Sequence, residues 1–155
     1  MDWLRRIASA IWPSPSGLEV EEPDATTVST VPPYGRVVRA LDALLGPGTV
    51  LYWEGRAGPM LAAWLNRLTI EPRPAISVGI SPVADFYHLP VDRELLEGLA
   101  MRVDLPFGVE GRVRLHAYLG RRIVWQWRPA FSPSPMLISR TIPSWRVNEF
   151  RNRIE

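Results

Sequence analysis

"RVRLHAYLGRRIVWQW", residues 112–127, decides how this chain is read. Apolar and polar residues alternate on both sides of Gly120-Arg121, the pattern of two strands joined by a tight turn. In the first strand Val113, Leu115, Ala117 and Leu119 share one face, and Arg112, Arg114, His116 and Tyr118 share the other. In the second, Ile123, Trp125 and Trp127 face one way, with Arg122, Val124, Gln126 and Arg128 opposite. Two turn signals conflict here. Glycine at the first loop position favours a two-residue loop that pairs Leu119 with Arg122. A three-residue loop pairs Leu119 with Ile123, Ala117 with Trp125 and Leu115 with Trp127, which keeps one face wholly apolar. Burial predicts the second register. The tryptophans then belong to a core, and the arginines to the opposite face of the same sheet.

That opposite face collects Arg112, Arg114, His116, Tyr118, Arg122, Gln126 and Arg128. It is expected to suit an anionic ligand or nucleic acid. Only Tyr118 interleaves an aromatic ring with the charge, where single-strand binders use several. An RNP1 motif and a KH-type GXXG element are absent. An arginine-coated sheet face without a ligand fits the same pattern.

Working outward from the hairpin, helical spacing recurs through Tyr34, Val37, Val38, Leu41, Leu44 and Leu45, stopped by Gly46 and Pro47. "TVLYWE" (49–54) reads as a strand, and Pro59 opens a helix with Met60, Leu61, Trp64, Leu65 and Leu68 on its apolar face. "AISVGIS" (75–81) and "ADFYHLPV" (84–91) are extended. Asp92 caps a helix with Leu95, Leu96, Leu99 and Val103 inward, although Gly98 within it should cost about 1 kcal/mol relative to alanine. "MLISR" (136–140) is a last strand, and Ser144 caps a final helix with Val147, Phe150 and Ile154 inward.

The expected fold is α/β of the α+β type. A single mixed sheet of about four to six strands carries three or four packed helices, in the order α-β-α-β-(β)-α-β-β-(β)-α. Residues 49–81 have the length of a right-handed βαβ unit. Ahead of this domain (34–155), residues 13–33 read as a proline, serine and acid-rich linker. Residues 1–12 read as an amphipathic helix with Trp3, Leu4, Ile7 and Ile11 on one face. Such a tip suits a partner protein or a membrane surface, and equally a helix packed on its own domain. The apolar run is too short for a signal peptide, and no segment has transmembrane length.

Composition excludes several chemistries. The 155 residues contain no cysteine, so thiolate nucleophiles, disulfides and cysteine metal sites are ruled out. All 18 basic residues are arginine, which removes the P-loop lysine and any lysine Schiff base. A genome whose codon usage favours arginine is the expected reason, ahead of a functional demand for guanidinium at every site. The net charge of +2 does not by itself point to nucleic acid. Charge is uneven, however. Residues 12–31 hold Glu19, Glu21, Glu22 and Asp24 without arginine, whereas the chain from Gly111 onward is strongly basic.

Further stretches hold residue types that could carry chemistry. "YWEGRAGPM" (52–60) has the strand, turn and helix start of a phosphate site. It meets neither the P-loop nor the dinucleotide fingerprint, and an ordinary turn explains it. Asp85 and His88 with Glu54 and a serine would make a hydrolase-like site, but there is no G-x-S-x-G elbow. Two histidines, His88 and His116, lack the close ligand pairs of a zinc site. Phe131, Met136 and Leu137 either form a partner-binding edge or close the core.

The leading expectation is a cytoplasmic, non-catalytic protein-binding or adaptor module with no cofactor and no metal. Its partner is a protein, with peripheral membrane contact through residues 1–12 as a variant. The alternatives are polyanion binding by the hairpin and a hydrolase-like enzyme using Asp85 and His88.

Overall fold

The computed structural model describes residues 25–70, 85–106, 108–109 and 111–155. The expected tip (Trp3, Leu4, Ile7, Ile11) and the strand expected at 75–81 lie outside the described residues.

Among the described residues six strands form one sheet: β1 (Thr26–Val28), β2 (Val50–Glu54), β3 (Phe86–Pro90), β4 (Arg114–Leu119), β5 (Arg122–Trp127) and β6 (Met136–Ile138). Four helices accompany them: α1 (Gly35–Leu44), α2 (Pro59–Leu68), α3 (Arg93–Val103) and α4 (Ser144–Ile154). From α1 onward the element types and their order follow the sequence reading. The strand order is β1-β6-β5-β4-β2-β3.

Every pairing between the described strands is antiparallel. Among the described residues the sheet is thus antiparallel where a mixed one was expected, and the second strand of the unit read in residues 49–81 lies outside them. The next described strand after α2, β3, lies antiparallel beside β2. The linker reading also ends too late. Thr26–Val28 forms an edge strand, with Val28 opposite Met136. β6 is therefore an inner strand.

The hairpin satisfies both of its conflicting turn signals. Leu119 pairs directly with Arg122 across a Gly120-Arg121 loop, so the predicted three-residue loop is wrong. Gly120 takes φ +60° and Arg121 has no positive φ, as a type II′ turn requires. Deeper in, Ala117 still pairs with Trp125, and Leu115 with Trp127. A β-bulge reconciles the two. Tyr118 faces Ile123, which leaves Val124 as the extra residue on β5. Val124 joins Trp125 and Trp127 in the main core, while Ile123 turns to the other face beside Tyr118. Ile123 thus leaves the tryptophan face to which it was assigned, and Leu119 is exposed.

One continuous core unites Leu51, Trp53, Tyr87, Leu89, Leu115, Ala117, Trp125 and Trp127 of the sheet with buried residues of all four helices. α1 packs against both α3 and α4. The inward residues of α1, α3 and α4 are those the spacing predicted. On α2 only Leu61 and Leu65 are buried; Met60 and Leu68 point outward. Met136 closes the core, and Phe131 packs edge-on against Trp127.

Helix capping is split between local and distant groups. The Asp92 carboxylate accepts from Leu95 N at 2.7 Å, as the sequence predicts. Ser144 is instead the first residue of α4, behind an N-cap at Pro143. α1 has no side-chain cap of its own at Tyr34. Its first amides are satisfied from α3: Tyr34 N and Gly35 N donate to the two Asp104 carboxylate oxygens at 2.8 and 2.7 Å. Gly35 permits this approach, because a Cβ there would stand 2.6 Å from Ala100 O. Asp104→Ala is expected to cost about 1–2 kcal/mol, the range for losing a helix cap. Urea unfolding checks this; a change within error would show that water replaces the carboxylate.

No helix among the described residues is long and apolar enough to cross a membrane.

Candidate functional site

The second face of the sheet is where the sequence concentrated its candidate residues, and strand alternation sets its content. Residues of even number on β2, β3 and β4 point away from the tryptophan core. Strand order then aligns Gln126, His116, Tyr52 and His88 as successive cross-strand partners on β5, β4, β2 and β3. One polar row therefore runs across four strands. A neighbouring row pairs Arg114 with Glu54 and Glu54 with Phe86.

The row is tightly interlocked. Tyr52 stacks on His116 with ring centroids 5.8 Å apart and lies 5.0 Å from His88. The Tyr118 hydroxyl and His88 Nδ1 are hydrogen-bonded at 2.9 Å. Thr69 Oγ1 accepts from His88 N at 2.9 Å, and Ile70 N donates to His88 O at 2.9 Å. These contacts satisfy the backbone N–H and C=O of His88 on the outer edge of β3. With its amide oxygen turned towards Arg128, Gln126 accepts from Nε and Nη2, both at 3.1 Å. Arg114 approaches the nearly buried Glu54 carboxylate at 3.8 Å.

His116, Tyr118 and Gln126 are buried, with His116 at 0% exposure. The sequence placed them on an accessible basic surface; of that set only Arg112, Arg122 and Arg128 are exposed, and Arg114 is half-buried. Burial, then Arg128 and Arg114, lower the pKa of His116 to about 3. Its imidazole is neutral near pH 7, and Nδ1 has no hydrogen-bond partner among the described residues. Burial, then Tyr52, push the Tyr118 phenol upward, so it stays protonated and can donate.

The fold does not bring Asp85 to His88. Asp85 is exposed just before β3, and its carbonyl accepts from Gly55 N at 2.7 Å. The residues that do meet His88 are Tyr52 and Tyr118. Sequence reasoning missed Tyr52 as a member of this face. Its parity within "VLYWE" was readable, but its place between the two histidines depends on strand order. At "GRAGPM", Gly58 N is used by Gly108 O at 3.0 Å, which leaves an ordinary turn.

Compared with family models, curated proteins and solved structures, the chain matches none.

Proposed function

We propose that this chain is a cytoplasmic, non-catalytic protein-binding domain, an adaptor whose contact surface lies on its helical layer. One observation carries the reading: the outer side of α2 and α3 exposes large apolar side chains around a single anchored tryptophan. Met60 is 89% exposed, Met101 63% and Leu105 57%. Trp64, one turn from Met60, lies across Gly98, where a Cβ would meet its ring at 2.6 Å. The Arg102 guanidinium sits over that ring at 4.2 Å and donates to Gly98 O at 2.7 Å. The glycine in mid-helix thus makes room for Trp64. Exposed methionines beside an aromatic ring and an arginine suit an adaptable protein interface. The amphipathic segment at 1–12 is proposed as a second contact, to a partner or a membrane surface.

A second reading, polyanion binding by the hairpin, is favoured by the exposure of Arg112, Arg122 and Arg128.

One experiment separates them. Native lysate is passed over the full-length chain and over a Met60→Asp/Met101→Asp variant, each with and without nuclease. The variant should keep its stability within about 0.5 kcal/mol, because both side chains are exposed. A protein retained stoichiometrically by the wild type, insensitive to nuclease and lost by the variant supports the adaptor reading. Retention that collapses with nuclease supports the hairpin instead, and unchanged retention by the variant refutes the α2–α3 surface.

A further inference from the structure

Residues 1–24 precede the described part of the domain, which begins at Ala25, and Thr26 opens β1 opposite Ile138. The antiparallel register fixes where the chain comes from. Carried back two residues, it brings Asp24 level with Arg140, just past β6. Directly opposed side chains on paired strands stand about 5 Å apart at Cβ, within reach of an ion pair.

Thr26 also borders a cleft of about 350 Å³ between this sheet edge and α4, together with Ser139, Arg140, Ser144, Asn148 and Arg151. Two arginines line the cleft and no acid does. Arg140 is exposed and Arg151 half-buried. Neither takes part in the ion pairs among the described residues, which join Arg39 to Glu97, Arg93 to Asp42, Arg114 to Glu54 and Arg153 to Glu149. α4 moreover starts without a side-chain cap or an acid in its first turn, so its dipole adds to the positive potential at Ser144.

The opposite charge stands directly upstream. "LEVEEPD" (18–24) carries Glu19, Glu21, Glu22 and Asp24 and no base. Ion pairs between exposed side chains are individually weak, so charge alone would not hold a detached peptide here. The covalent tether decides the matter. Glu21 is at most about 18 Å of extended chain from Thr26. A tether that short holds the carboxylates at an effective concentration on the order of millimolar or higher.

We infer that residues 19–24 lie in this cleft as an acidic strap, with Asp24 paired to Arg140 and the glutamates before it to Arg151. The strap leaves only residues 13–18 as a free tether and holds the segment 1–12 beside α4. It is independent of the adaptor reading, since it uses neither the α2–α3 surface nor the hairpin.

The absence of cysteine makes a site-specific spin label available for the test. A nitroxide is attached to the full-length chain through Val20→Cys, and amide intensities are followed by NMR. The Asn148 and Arg151 amides should lose about half their intensity or more at about 20 mM NaCl and recover at about 0.5 M, where screening confines charge interactions to a few ångströms. Arg140→Gln/Arg151→Gln in the labelled chain should abolish the broadening, and so should Glu19→Gln/Glu21→Gln/Glu22→Gln/Asp24→Asn. If the arginine variant fails to fold, the acid-neutralised one carries the test, because its changes all precede the described domain. Broadening that persists at high salt and in the variants comes from the tether alone and overturns the strap, as does its absence at low salt. Hexaglutamate added to the unlabelled proteins should bind the acid-neutralised chain about fivefold more tightly than the wild type, which carries its own competitor. Equal affinity would mean that the cleft stands open for another chain, and would overturn the strap as its occupant.

Discussion

Acidification from about pH 6 to about pH 4 should remove about 2–3 kcal/mol of folding stability through His116 alone. The folded imidazole has a pKa lowered to about 3 by burial, Arg128 and Arg114, while the unfolded one titrates near its ordinary 6.5. Between those values the unfolded chain binds more protons than the folded chain. Stability is therefore fully present above about pH 6.5 and falls as pH drops towards 3. Carboxylates add their own acid sensitivity, so the comparison that isolates this effect is His116→Phe. The phenyl ring can keep the stacking on Tyr52 and removes both the titration and the unbonded Nδ1. Urea unfolding of the two proteins at a series of pH values should show a shallower slope for the variant. Its stability at pH 7 should equal or exceed that of the wild type. Parallel pH profiles would show that the imidazole gains water or a proton in the folded state.

Trp127→Ala should be the more damaging single change at neutral pH, at about 3–5 kcal/mol. Trp127 is fully buried and sits where several elements meet. Its ring meets Tyr34 at 5.6 Å, Phe131 at 5.3 Å and Trp125 at 6.2 Å. Its indole N–H donates to Ser134 O at 3.1 Å, which ties down the Pro/Ser loop before β6. Typical domains have only about 5–15 kcal/mol to lose, so the alanine variant should unfold at much lower urea. Trp127→Phe should cost less, since it keeps most of the ring contacts and forfeits the hydrogen bond. A loss below about 1 kcal/mol for the alanine variant would mean that the loop collapses into the space.

The parts of the fold that the sequence made legible are those encoded by local period. α1, α3 and α4 declare themselves through apolar residues three and four apart, and Asp92 marks its own helix start. The hairpin's alternation placed Trp125 and Trp127 inward. What escaped depends on distant partners. "TTV" at 26–28 is too short to stand out among prolines and acids, and it becomes a strand only because β6 lies beside it. The Asp104 cap on α1 joins residues about seventy positions apart, which no local pattern records. Met60 looked inward by spacing, yet the first turn of α2 aims it at solvent. The bulge at Val124 shows why neither turn signal was sufficient alone: turn chemistry fixed the loop, burial fixed the tryptophans, and one extra residue absorbed the mismatch.

The candidate site was legible in half. Parity grouped His116, Tyr118 and Gln126 with the arginines, but only strand order adds Tyr52 and His88. Burial of that row was not readable, because a polar face of this composition equally suits water. Arg140 and Arg151 were visible as residues and invisible as a pair, since one lies just past β6 and the other in the last turn of α4.

The sheet also dictates an order of events at birth. β1 is the earliest described strand to leave the ribosome, and its partner β6 emerges only after every other strand has been made. The β4–β5 hairpin closes locally and early, whereas β1 waits unpaired through most of synthesis. Until Met136–Ile138 appears, the nascent chain exposes Val28 and the bare outer edge of β5 together. The length of that interval is set by translation speed, and unpaired strand edges are aggregation-prone while it lasts.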